Sequence, residues 1–348
     1  MKKIFSMILI AVLIAMMFVS CSGNGEQSEE QGNLPASDPG ESTGTAEGEV
    51  GEIAVILQTY NGSFWSDVMR GVDKAIEELA ELGVKCEFNG PDDSTNLQAQ
   101  IEMLESAIAR DVDAIAVAPA DPAAVASVMP RCEEKNIPVV TFDVNADSDW
   151  PVCLVSSDNY KLGLLAGEAL GKAMGGKGLW AMVNWSDAVL TNGQRSFGAE
   201  DYIKENFPDM ECYKLFFTYN VPDADLTFAR DTLMAQEGFG GFITGTEGNL
   251  APVLSAIQEA GAVGKVKLVA IDITPVSLEY IKDGTISAVV TQNPYNMGYT
   301  GTMTAYKAAL GESVPEFIDS GSAIVDLESM ESDEETRSIL KDLNLLDA

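Results

Sequence analysis

The chain has 348 residues, 46% of them hydrophobic, with a mean hydropathy of +0.05, enough for two domains that each bury a core. A formal net charge of −33 argues against nucleic acid as a partner, because phosphate has to be neutralised by Lys and Arg. Histidine is absent, which removes Ser-His-Asp and Cys-His nucleophile systems and every His-containing zinc site.

The N-terminus has the form of a processing signal. Lys2 and Lys3 precede an apolar run over residues 4–19, short of the ~20 residues of a membrane span. The run ends in FVSC, which resembles a bacterial lipobox with Cys21 as the residue to be cleaved and acylated. Residues 1–20 are therefore expected to be a lipoprotein signal peptide. Residues 21–50 are rich in Gly, Ser, Glu and Pro and are expected to form a disordered acidic tether. Flexible chain of this length spans roughly 30 Å, which suits a body held off a membrane by a lipid anchor.

From residue 53 the chain alternates short apolar runs with amphipathic helical patterns. IAVILQ is followed by a helix expected over 66–82, and KCEFNG by one over 95–110. AIAVAP leads into DPAAVASVMPRCEEKN, and PVVTFD and CLVSSD complete the first half. A helix over 160–174 then precedes LWAMVN, a helix over 195–206, and YKLFFTY. GFITG, a helix over 249–260, VKLVAID and ISAVVTQ follow. Continuously apolar strands imply that helices cover both faces, and strand–helix repetition implies right-handed crossovers and parallel sheets. The fold class is α/β: two similar doubly wound, Rossmann-like domains with a cleft between them. Cys86, Cys132, Cys153 and Cys212 fit no metal or redox spacing and are expected to be free thiols.

In open α/β sheets ligands bind beyond the carboxyl ends of the strands. In the first half those ends carry Asn61, Ser63, Phe64 and Trp65, then Asp92 and Asp93, Asp121, and Asp143 with Asn145. In the second they carry Asn184, Trp185, Thr246, Glu247, Asp272 and Gln292. Planar carboxylates, carboxamides and guanidinium groups pair with adjacent hydroxyls, while flat rings cover the C–H faces of a sugar. That mixture suits a neutral polyhydroxylated ligand. Asp121 reads instead as the cap of a helix starting at Pro122.

Two motif look-alikes fail on their details. GKAMGGKG has phosphate-loop spacing but puts Gly178 where Ser or Thr is needed, and it ends a helix rather than starting one. DVNADSDWPVCL opens like a calcium loop through Asp143, Asn145 and Asp147, but Ser148 and Leu154 stand where Gly and a bidentate Glu belong. No metal and no cofactor is expected.

The ordered pieces Phe64-Trp65 before VMRGV, NIPVVTFD, SSDNYKLGLLAGEAL, Arg195 followed by Gly198, VAIDITP and VVTQNPYNMG resemble the type I periplasmic binding proteins of bacterial ABC importers. The resemblance covers residues 52–325 and is to the ribose/galactose-binding family. It implies a three-crossing hinge near 156–158, 292–294 and 321–323. The first lobe would then be 51–157 plus 293–321, and the second 158–292 plus 322–348. It also implies stacking of Phe64 and Trp65 on a sugar and hydrogen bonds from Asp143, Arg195, Asp272 and Gln292. Asn61, Asn145, Trp185 and Thr246 complete the expected ligand-binding set.

The chain departs from the family at three polar positions, with Ala118 and Thr246 for Asn, and Val144 for Arg. The resemblance implies a monomeric, non-enzymatic, lipid-anchored extracytoplasmic binding protein that delivers a monosaccharide-like ligand to the membrane subunits of an ABC permease. A sensor subunit docking on a signalling receptor, or a binder of a non-sugar polar ligand, uses the same site. A doubly wound enzyme would have to rely on a carboxylate pair.

Overall fold

The structure is a computed structural model and describes residues 50–346, apart from residues 220 and 222. The expected signal peptide, Cys21 and the tether up to residue 49 lie outside the described residues, as do residues 347–348. Val50, assigned to the tether by composition, is instead buried in a core, and the adjacent Gly51 N–H donates to Asp113 Oδ2 at 2.7 Å.

The first half runs β1 (Glu52–Ile56), α1 (Ser63–Glu81), β2 (Lys85–Asn89), α2 (Leu97–Ala109) and β3 (Ala114–Val117). It continues through α3 (Pro122–Ala126), α4 (Met129–Glu134), β4 (Val139–Phe142) and β5 (Cys153–Ser156). The second half runs α5 (Asn159–Met174), β6 (Lys177–Asn184), α6 (Leu190–Asn206), β7 (Asp209–Phe217) and α7 (Ala224–Ala235). Next come β8 (Phe239–Thr244), α8 (Glu247–Glu259), β9 (Lys267–Ile271), α9 (Pro275–Lys282) and β10 (Ala288–Gln292). The chain closes with α10 (Pro294–Ala309), β11 (Phe317–Asp319), β12 (Ser322–Val325), α11 (Leu327–Ser332) and α12 (Glu334–Asp342).

These strands form two six-stranded sheets, in the orders β11-β5-β4-β3-β1-β2 and β12-β10-β9-β8-β6-β7. Every pairing is parallel except β12 on β10. The inner strands β3, β4 and β10 are buried along their whole length, as their unbroken apolar runs require, whereas the edge strands β2 and β7 are largely exposed or half-buried. In the first lobe α1 and α10 cover one face, and α2 to α4 the other. In the second, α5 and α6 cover one face, and α7, α8, α9 and α12 the other.

Three chain segments pass between the sheets and lie against one another. Ser157 Oγ meets Ser320 Oγ at 3.1 Å, and Ser320 N–H donates to the Ser156 carbonyl at 3.0 Å. Asn293 N–H donates to the Gly321 carbonyl at 3.2 Å. Buried polar groups in such connections need partners, and here they supply them to each other.

Local chemistry explains where elements start and stop. Gly62, with a φ of 104°, lets the chain turn so that α1 begins at Ser63 rather than at 66. Phe64 and Trp65, expected in a loop, therefore occupy the first helical turn. Asp121 caps α3 through its Oδ1, which accepts the Ala124 N–H at 2.7 Å. GKAMGGKG is the end of α5: the Gly176 N–H returns to the Gly171 carbonyl at 2.9 Å. Helix α6 starts at Leu190, five residues before the expected 195. It lies close on α5, where a Cβ on Gly163 would sit 2.2 Å from the Arg195 carbonyl oxygen. That approach fixes the height of Arg195 above the sheet.

All four cysteines in the body are free thiols. Burial pushes Cys132 and Cys153 up to about 11, and Cys86 and Cys212 up to about 12, so none is a nucleophile at neutral pH.

Candidate functional site

A cavity of about 320 Å³ opens where the carboxyl ends of the two sheets face each other. Its size is at the small end of ligand sites. Helix α1 contributes Phe64, Trp65 and Asp67, and the turn after β4 contributes Asp143 and Val144. From the second lobe come Trp185 after β6, Arg195 of α6, Thr246 and Glu247 at the start of α8, and Asp272 after β9. Gln292 ends β10 and lies where the chain passes back to the first lobe.

The two rings of α1 meet edge to face, with centroids 5.2 Å apart and planes 81° apart. Trp65 is 9% exposed and belongs to the first-lobe core, while Phe64 packs against that core from the side. Trp65 is thus both core and cavity wall. Trp185 lines the cavity from the other lobe, and its backbone N–H donates to Asn184 Oδ1 at 2.8 Å. Asn184 is fully buried and also donates to the Asn192 carbonyl at 2.9 Å, so it positions the β6–α6 turn rather than lining the cavity.

Arg195 is buried and its guanidinium is held in three directions. Nε donates to Asn159 Oδ1 at 2.8 Å; Nη1 donates to the Gly245 carbonyl at 2.9 Å and to Asp272 Oδ2 at 3.3 Å. The other oxygen of Asp272 accepts Gln292 Nε2 at 2.7 Å. Asp272 is thereby oriented by a cation on one side and an amide on the other. Asn159, unsuspected from the sequence, is the residue that fixes the Arg195 fork.

Asp143 is treated differently. Among the described residues its carboxylate has no hydrogen-bond donor and no ion-pair partner. Burial pushes it up to about 6, against the lowering field of Arg195 and with a further raising contribution from Asp272. Asp67, by contrast, is paired with Arg70 at 2.6 Å, although burial still raises it. Across the mouth, Ser63 Oγ on α1 donates to Glu247 Oε2 on α8 at 2.7 Å, joining the lobes beside the cavity.

Two of the expected residues are not brought to the cavity. Asn61 turns its amide onto the Asp92 carbonyl, and its N–H bonds Thr59 Oγ1 at 3.2 Å, so it serves its own loop. Asn145 Oδ1 accepts Thr141 Oγ1 at 2.7 Å and the Ala146 N–H at 3.0 Å, which ties down the turn after β4. In both cases a nearby backbone group competes successfully for a short polar side chain. Asp93 behaves alike, accepting the Thr95 N–H at 2.8 Å. Asp67 and Glu247 do line the cavity; the first follows from its i+3 spacing to Phe64 on one helix face. No group of three or more Cys, Asp or Glu among the described residues is disposed to hold a metal ion.

Comparison with known proteins decides the family. The model of the periplasmic binding protein domain matches residues 53–313, three-quarters of the chain. The chain belongs to this family, as a type I sugar-binding member. The D-allose-binding periplasmic protein of Escherichia coli is 25% identical over 262 residues, covering 72% of this chain and 82% of its own. The ribose import binding protein of the same organism is 25% identical over 268 residues, covering 75% and 86%. An ABC transporter solute-binding protein of Agrobacterium vitis, solved with D-fucose, is 31% identical with a TM-score of 0.69, covering 82% and 99%. A carbohydrate transporter solute-binding protein of Agrobacterium radiobacter, solved with D-arabinose, is 27% identical with a TM-score of 0.69, covering 85% and 99%.

Proposed function

We infer that this periplasmic binding protein captures a monosaccharide-like ligand between its lobes and hands it to the membrane subunits of an ABC importer. One observation carries the reading. A cavity of monosaccharide scale is walled by rings from α1 and by polar groups that come from both lobes, Asp143 on one side and Arg195 and Asp272 on the other. Rings cover apolar C–H faces, and the oriented carboxylates and guanidinium pair with hydroxyls. Relatives named for D-allose and ribose, and neighbours solved with D-fucose and D-arabinose, support a sugar without selecting one.

A ligand that touches both lobes stabilises the closed arrangement, because only contacts made in one state shift the balance between states. The Ser63–Glu247 bond helps hold that arrangement. The task is binding and release, not turnover. The body works outside the cytoplasm as a monomer, anchored through acylated Cys21 with residues 22–49 as the tether.

Thermal unfolding of the protein against a panel of pentoses, hexoses, polyols and nucleosides tests this reading. A sugar at 100 times its dissociation constant adds roughly 2.7 kcal/mol of stability. The expected result is a clear upward shift with one or a few monosaccharides. A panel in which no sugar shifts the transition defeats the reading.

A further inference from the structure

The charged groups facing the cavity, taken element by element, are Asp67 on α1, Asp143 after β4, Arg195 on α6, Glu247 on α8 and Asp272 after β9. Four carboxylates face one guanidinium. Three of the four are already answered: Asp67 by Arg70, Glu247 by Ser63, and Asp272 by Arg195 and Gln292. Arg195 commits Nε and Nη1 to Asn159, Gly245 and Asp272 and makes no hydrogen bond to Asp143, on which it acts through space, leaving Nη2 for ligand hydroxyls. The residue next to Asp143 on the cavity wall is Val144, which offers neither charge nor a side-chain donor. The first lobe therefore presents one carboxylate to the ligand with no hydrogen-bond or ion-pair partner among the described residues.

We propose that the cavity is built for a monosaccharide carrying a protonated amine, whose ammonium group pairs with Asp143. The proposal rests on the sugar-binding reading above and narrows it. A half-buried carboxylate without a partner is costly until a cation or several donors meet it, and an ammonium on the ligand supplies both charge and three donors at once. The rings of Phe64 and Trp65, which line the same cavity, also favour a cation over an anion, because aromatic faces are negative. A uronic acid or sugar phosphate would add a third negative group beside Asp143 and Asp272 and is rejected on the same grounds.

Protonation reinforces the choice. With Asp143 at about 6, its ionised fraction rises about ten-fold between pH 5 and pH 7, and an aminated ligand gains affinity over that window. A neutral sugar, which offers hydroxyls to either form, gains less.

Equilibrium titration of the full chain with matched pairs is the test: D-glucosamine, D-galactosamine, D-mannosamine and 6-amino-6-deoxy-D-glucose, each against its neutral parent, with D-glucuronate alongside. At least one amine should bind ten-fold or more tightly than its parent at pH 7, with D-glucuronate weaker than both. Asp143→Asn should erase that preference, and Val144→Arg, which supplies a cation beside Asp143, should erase it independently. Parents that match or exceed their amines in every pair overturn the amine proposal and leave the sugar reading standing. A preference that survives both substitutions overturns the assignment to Asp143. Failure of amines and parents alike overturns the sugar reading along with the proposal.

Discussion

Asp143 and Asp272 occupy the same position in the two lobes and differ in their partners. Each follows the third strand of its sheet in spatial order, β4 or β9, and each donates its N–H to the neighbouring strand, to Val155 O at 3.0 Å and Val290 O at 2.9 Å. Each also has a left-handed backbone, with φ of 66° and 73°. That conformation costs free energy for a residue with a Cβ and concentrates at functional sites. Asp272 is clamped by Arg195 and Gln292, while Asp143 faces the cavity without a protein partner among the described residues. The fold repeats the backbone device, and the sequence then divides the chemistry between the copies.

Stability should respond to Asp143 with a definite sign. Its folded value of about 6 lies above the ordinary 3.8, so the folded state holds the proton more tightly than the unfolded chain. Stability falls as pH rises from about 4 to about 6 and stays at the lower level above that. Asp143→Asn, which cannot ionise, should raise stability at pH 7 by about 1–3 kcal/mol without added ligand, and by much less at pH 4. Denaturant unfolding at the two pH values checks this, and equal effects at both would remove the buried carboxylate from the account.

Arg195→Lys should fold but bind sugar weakly. An ammonium cannot reach Asn159, Gly245 and Asp272 together as the fork does, so Asp272 loses its orientation. One or two charged hydrogen bonds correspond to about 1.5–3 kcal/mol, a loss of roughly ten- to a hundred-fold in affinity. Calorimetric titration gives the number. A lysine variant with parental affinity would mean that Arg195 serves the lobe and not the ligand.

The bond between Ser63 and Glu247 should act on release. Both side chains are exposed, so its net worth is small, about 0.5–1 kcal/mol. Glu247→Ala and Ser63→Ala should each speed dissociation a few-fold in stopped-flow fluorescence. The double variant should add little to either. Additive effects would show that the two residues do not act through one contact.

Much of this was legible in the sequence, and the failures share a cause. Apolar runs that stop at Asp143 and Asp272 mark strand ends in an open sheet, and the topology then brings those ends together. Asn61 and Asn145 also follow strands, yet each satisfies its own loop, a choice set by local backbone geometry that residue type does not reveal. Phe64 and Trp65 reach the cavity from a helix, because the turn at Gly62 comes earlier than their aromatic character suggests. Leu343, which lines the cavity from the end of α12, gave no local signal at all. Its placement depends on α12 docking on the second sheet through Leu340, a contact with residues far away in sequence that no local pattern encodes.

Cys21→Ala should release the protein from membranes. The segment after it is acidic and has no affinity of its own for an anionic surface, so acylation is the sole anchor proposed. Fractionation of cells expressing parent and variant is the measurement, and a variant that still sediments with membranes would contradict the lipobox reading.

Capture by closure is the central claim, because Asp143 and the Arg195–Asp272 pair lie on different lobes and only a closed cleft applies both to one ligand. Small-angle scattering of the protein, with and without the sugar that gives the largest thermal shift, measures this directly. The account predicts a smaller radius of gyration at saturation, and a variant lacking the Arg195 fork should need more sugar to reach it. A radius unchanged or increased by saturating sugar would contradict the account.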